Sequence, residues 1–240
     1  MKQKIIRFTL LLLLLSAAAV YADDFSPEFI QQQESMLRSI DQYFPRLLIT
    51  ETFDTAAKPE VSELEDSIYG FHRITRAGKW ETMISAAKPA AEMLIWTYFF
   101  TEIGFYSDFY GSIEGRLLER DDSEKGAIHI GYSDKLIVGE SGASYCEVNF
   151  PISIIRGKKS AGERDDQIMA DLTQYGTDYD NHLFEIIRLD GYTSIFIDGR
   201  FITGFADGFS GRFYFTWGDG LYPGGKYAAG QFDNVRIRVR

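Results

Sequence analysis

Cysteine is almost absent from these 240 residues. Cys146 stands alone, so no intramolecular disulfide can form, and stability has to come from a buried core. Histidine is nearly as scarce. His72, His129 and His182 are scattered, with no His-x-x-x-His or Cys/His spacing of the kind that builds a zinc site. Basic residues are also short, 25 Lys and Arg against 35 Asp and Glu. An acidic surface repels phosphate backbones, which argues against nucleic acid and anionic membranes as partners. Long apolar runs are missing beyond the N-terminus. The stretch Met93 to Tyr106 is interrupted by Thr97, Thr101 and Glu102 and reads as buried strand, so the chain is not expected to span a membrane.

The first residues follow another logic. Lys2, Lys4 and Arg7 precede an apolar run from Leu10 to Leu15, and Val20 and Ala22 stand where a signal peptidase wants small residues. Residues 1–22 therefore read as a signal peptide. Its removal takes three basic residues and no acidic one, moving the net charge from −10 to −13. The expected location is outside the cytoplasm: periplasmic, on the cell surface or secreted. Cys146 shares a strand face with Val148 and Phe150 in SYCEVNF, which predicts an inert core thiol.

Residues 23–45 carry the chain's one convincing helical pattern. Ser26 can cap it, Pro27 suits its first turn, Glu28 faces the positive end of its dipole, and Pro45 ends it. Phe29, Ile30, Met36, Leu37, Ile40, Tyr43 and Phe44 form an apolar stripe, expected to lie on the domain, with partner docking as the alternative. From residue 46 to 240 the apolar period falls to two. Ile113 and Leu117 are expected inward, and Glu114 and Arg116 outward. Asp190-Gly191 and Asp198-Gly199 separate alternating runs, the strongest short-range hairpin signal, because both central turn residues need positive φ. The polar stretch 157–180 resists assignment; QIMADLTQY reads as a helical turn. The predicted fold is all-β, a two-sheet antiparallel jelly-roll sandwich preceded by one N-terminal helix.

The run FEIIRLDGYTSIFIDGRFITGF, then GRFYFTW and GQFDNVRIR, resembles the end of a concanavalin A-like, laminin-G-like jelly-roll domain. The resemblance covers residues 47–240 and is distinctive over about the last 60. It implies a fold that hosts lectins, glucanases, adhesion modules and purely structural modules, so function has to be argued from a site.

Glucanases of that superfamily carry Glu-x-Asp-x-x-Glu on a central strand, which brings two carboxylates about 5 Å apart on one sheet face. Glu119, Asp121 and Glu124 repeat the spacing here, but Arg120, Asp122 and Ser123 between them and Lys125-Gly126 after them read as a solvated hairpin tip. Gly139-Glu140-Ser141-Gly142-Ala143 misses a nucleophile elbow by its last glycine. The reading therefore leans away from an enzyme. The resemblance also implies a structural calcium clamped between first and last strands. Glu51, Asp54 and Asp233 are its candidate ligands, against the alternative that Asp233 and Asn234 only bond local backbone.

For ligand binding, Trp217, Tyr222 and Tyr227 lie in or beside the glycine-rich stretch GDGLYPGGKYAAG, where rings can lie flat against a sugar. One ring covering about 100 Å² contributes roughly 2.5 kcal/mol, and millimolar binding needs about 4, so two or three rings are required. The expected function is a non-catalytic exported protein that binds a glycan or another envelope component. The alternatives are a structural or assembly protein of the envelope, as in periplasmic flagellar sheaths, and a glycoside hydrolase.

Overall fold

The computed structural model describes residues 25–51, 62–64, 70–74, 79–85, 95–121, 125–135, 143–160, 163–175, 178–221 and 225–240. The helix forms as its caps dictate. Phe29 N donates to Ser26 Oγ at 3.2 Å and opens α1 (Pro27–Arg38), and Ser39 separates it from the single turn α2 (Ile40–Tyr43). Among the described residues, no helix is long and apolar enough to cross a membrane.

Fifteen strands are described, paired antiparallel in two sheets. In chain order they are β1 (Arg46–Glu51), β2 (Ser62–Leu64), β3 (Gly70–Ile74), β4 (Trp80–Ser85), β5 (Ile95–Gly104), β6 (Phe109–Arg120), β7 (Gly126–Ser133) and β8 (Ser144–Phe150). They continue with β9 (Ser153–Ser160), β10 (Glu163–Asp171), β11 (His182–Leu189), β12 (Tyr192–Ile197), β13 (Arg200–Ala206), β14 (Phe213–Leu221) and β15 (Tyr227–Val239). The first sheet runs β13-β12-β11-β6-β15-β4-β3, with β1 also on β15; the second runs β10-β9-β8-β7-β14-β5-β2. This is the jelly-roll sandwich the alternation predicts.

The two Asp-Gly corners behave as hairpin chemistry demands. Asp190 and Gly191 have φ of 52° and 74°, Asp198 and Gly199 of 53° and 75°. Register then turns Ile195 and Ile197 into the core opposite Phe184 and Ile186. Ile113 and Leu117 point inward beside them, as expected, and Cys146 lies in the same core, its thiol pushed well up by burial. The stretch 157–180 departs from expectation. It forms the charged hairpin β9–β10 and only a 3-10 turn at Thr173–Tyr175. Its charges had masked the strand pattern because an edge hairpin needs little apolar alternation.

An ionic lock crosses the core. Arg188 on β11 donates Nε and Nη2 to Asp207 at 3.1 and 2.6 Å, and Thr193 of β12 and Tyr132 of β7 donate to the same carboxylate at 2.7 and 3.0 Å. Every lone pair is engaged, the condition under which a buried ion pair is tolerated. On the outer face of the first sheet, Phe29, Ile30, Met36 and Leu37 of α1 cover Tyr110, Ile187, Phe196 and Phe201. The helix stripe packs on its own sandwich.

Candidate functional site

Alternation along β7 and β8 decides what lies on the far side of the second sheet. Ile128, Ile130 and Tyr132 of β7, and Cys146, Val148 and Phe150 of β8, belong to the core. The residues between them, His129, Gly131 and Ser133 on one strand and Tyr145, Glu147 and Asn149 on the other, must face outward. The same parity holds on β14, where Phe213, Phe215 and Trp217 are core and Tyr214 and Thr216 are not.

Register arranges these side chains in rows. His129 stands between Gly218 of β14 and Asn149, which in turn faces Ser153 of β9. In the next row Phe100 of β5, Thr216, Gly131, Glu147 and Ile155 follow one another across five strands. In the third, Tyr214 faces Ser133, Ser133 faces Tyr145, and Tyr145 faces Gly157. Directly opposed residues put their Cβ atoms about 5 Å apart, so the rows form one continuous layer, in which His129, Ser133, Tyr145, Glu147 and Asn149 are wholly buried. At Gly131 a Cβ would lie 2.1 Å from the Cys146 carbonyl oxygen, so this square of the surface stays bare between Thr216 and Glu147. Tyr145 donates its hydroxyl to Asp166 of β10 and closes the third row. Phe100 and Tyr214 pack edge to face at 5.8 Å at the opposite end.

The hydrogen-bond account of this surface is incomplete. Asn149 is fully buried, yet neither Oδ1 nor Nδ2 has a partner; Thr216, 4% exposed, has none for its Oγ1. A buried amide or hydroxyl without a partner costs about 1–3 kcal/mol and calls for a reason. Both groups are uncharged, and both can donate as well as accept.

The residues singled out from the sequence do not assemble into this surface. Trp217 is wholly buried in the core, which corrects the expectation of an exposed ring: GDG does not open a loop, because β14 continues to Leu221. Tyr222 lies outside the described residues. Tyr227 begins β15 in the other sheet and donates to Glu119 at 3.0 Å; partial burial and that carboxylate raise its phenol. Trp217 and Tyr227 therefore form no shared platform. Glu119 is exposed, and Asp121 accepts from Lys226 N at 2.8 Å, so both carboxylates hold the approach to β15. Glu124 lies outside the described residues.

Of the calcium candidates, Asp233 alone has a described side chain. The first and last strands do pair, with Glu51 opposite Val235, and Asp54 lies outside the described residues. Asp233 accepts from Lys79 Nζ through one oxygen and from Asn234 N at 2.8 Å through the other. Asp233 is thus neutralised by an ammonium and tied to the neighbouring backbone, which leaves this one carboxylate with few open lone pairs for an ion.

No protein-family model matches the sequence, and neither does any curated protein. Among solved structures, the chain is similar to a Bacillus licheniformis beta-glucanase at 9% identity, over 80% of this chain and 98% of that one, with a TM-score of 0.53. A Bacillus subtilis protein of unknown function with a galectin-like fold gives 12% identity, 82% and 98% coverage and a TM-score of 0.53. A 1,3-alpha-1,4-beta-D-galactose-4-sulfate-3,6-anhydro-D-galactose 4 galactohydrolase gives 10%, 81% and 94%, and 0.54. The chain has the concanavalin A-like jelly-roll fold. Likeness at such identity concerns the fold alone.

Proposed function

We propose that this chain is an exported, non-catalytic glycan-binding protein, and that the sugar lies on the outer face of the second sheet. The observation that carries the reading is the pair of unpartnered groups there, Asn149 and Thr216. Sugar hydroxyls donate and accept and so match both groups in chemistry; because both are buried in the ligand-free chain, binding requires this face to be uncovered. Phe100 and Tyr214 supply an apolar edge beside them, suited to a sugar's C–H face. Two neighbours in the fold, a glucanase and a galactohydrolase, favour a carbohydrate over an envelope protein as the partner. The helix supports the same choice, since its apolar stripe is spent on its own sandwich. Export rests on residues 1–22, which lie outside the described residues. The non-catalytic reading is supported by Glu119 and Asp121, which are engaged with Tyr227 and Lys226.

The test is a glycan array on the processed protein, repeated with Asn149→Ala and Thr216→Val. Each variant should keep its fold and lose about tenfold in affinity, equivalent to roughly 1.4 kcal/mol. Undiminished capture of the same glycans by both variants would move the site elsewhere. An array that captures nothing would refute the glycan reading.

A further inference from the structure

Asp219 lies on β14 two residues beyond Trp217, and its carboxyl enters the space between the sheets. A Cβ placed on Gly230 of β15 would meet Asp219 Oδ1 at 2.7 Å and Ile128 Cγ2 at 2.6 Å. The bare Gly230 is therefore what admits the carboxyl, at a point where the two sheets touch. Asp219 is wholly buried and Thr82 of β4 is 2% exposed. Beyond an approach from the Thr82 hydroxyl, neither carboxyl oxygen has a hydrogen-bond partner, and Trp217 Nε1 has none.

The surroundings supply no compensating charge among the described residues. Thr82 faces the carboxyl from β4, while Glu81 beside it is engaged by Gln231 Nε2 at 2.9 Å. From β15 comes Tyr227, which feels the Asp219 charge and is bonded to Glu119 of β6. β7 presents Ile128 and Ile130 on its inner face, and His129 lies on the other side of the sheet. The titratable neighbours on β4 and β15 are thus acidic or phenolic, and Arg120 of β6, whose Cβ lies beside Gly126 at this corner, does not act on the carboxyl. An ionised carboxylate cannot be held there without a partner, so the folded chain keeps the acid neutral.

We infer that Asp219 is a buried proton-operated latch: protonated, it lets the sheets close at the β14–β15 corner, and its ionisation loosens that corner. The inference is independent of the glycan reading. Burial pushes the carboxyl from the ordinary 3.8 up to about 8, with Thr82 acting weakly in the opposite sense. Because the folded value lies above the unfolded one, the stabilisation is complete below about pH 4. It is then lost as pH rises towards 8, by up to tenfold in the folding equilibrium constant per pH unit.

The test is urea unfolding of the processed protein between pH 5 and 9, for the natural sequence and for Asp219→Asn. The natural protein should lose stability with a slope close to tenfold per unit that flattens above pH 8, and the variant should lack that component. Exchange of the Trp217 indole N–H should quicken with the same midpoint, beyond its intrinsic base catalysis, in the natural protein alone. Identical slopes in the two proteins would overturn the latch. A variant that fails to fold leaves a direct reading, the carbon-13 titration of the Asp219 carboxyl in the natural protein. A midpoint near 8 supports the latch, and one below 5 ends it.

Discussion

The two outer faces of the sandwich are built to different rules. On the first sheet, a helix covers Tyr110, Ile187, Phe196 and Phe201, and the polar group under it is satisfied: Ser194 donates to Gln33 of α1 at 2.8 Å. On the second, Asn149 and Thr216 are just as buried and have no protein partner. Burial is therefore not what separates the faces. The first is closed by a helix of the chain, which satisfies Ser194 although the Tyr192 hydroxyl beside it has no partner; the second leaves both Asn149 and Thr216 without one. What separates them is the helix, which covers the first face with its apolar stripe, while the second carries an amide and a hydroxyl whose chemistry suits a polyhydroxylated ligand.

That contrast breaks first at its apolar anchor. Phe201 meets Phe25, Phe29 and Phe196 in edge-to-face contacts at 5.1, 5.8 and 5.7 Å. Phe201→Ala should cost about 3 kcal/mol. For a domain of this size, that lowers the melting temperature by about 6–12 °C. Glycan capture on the opposite face should survive below that temperature. A change under 2 °C would mean that the helix only rests on the sheet.

Next in size is a pair of substitutions with opposite signs. Gln33→Ala strands the buried Ser194 hydroxyl and should destabilise by about 1–3 kcal/mol. Thr216→Val removes an unpartnered hydroxyl at nearly constant volume and should stabilise the ligand-free protein by about 1 kcal/mol. Calorimetry on the two variants compares the faces directly. Destabilisation by both would show that Thr216 already has a partner in the folded chain, and the distinction between the faces would go.

How much of this was legible beforehand follows the same division. The helix-covered half could be read because its signals are local: a capping serine, a proline at the first turn, and two Asp-Gly corners whose positive φ the residue types demand. The outer face of the second sheet could not. His129, Glu147 and Asn149 alternate with core residues, a pattern that reads equally well as an ordinary solvated strand face. Only the strand order β8-β7-β14 brings them beside Thr216, and that order is set by contacts distant in sequence. Trp217 misled for the converse reason. Glycines at 218 and 220 suggested a loop, yet Phe213, Phe215 and Trp217 already kept the inward period of two. The parity was in the sequence and should have outweighed the glycines.

The smallest expected effect concerns the metal, and it tests the first face from its open end. Asp233 and Glu114 lie there beyond the helix, joined by Asn234, which donates Nδ2 to Glu114 at 2.8 Å. Lys79 neutralises Asp233 from the end of β4, with its own side chain about one-third exposed. If the ammonium supplies the positive charge, adding calcium or a chelator should leave the melting temperature within about 1 °C, since a ligand that does not bind cannot shift the folding equilibrium. Lys79→Gln should then matter little too, because a charge pair with one solvent-exposed member contributes at most about 1 kcal/mol. A calcium-dependent rise of several degrees in the natural protein would mean that the lysine yields to the ion. The first face would then be completed from outside, as the second is proposed to be, and the contrast between them would narrow to the chemistry of what each one takes.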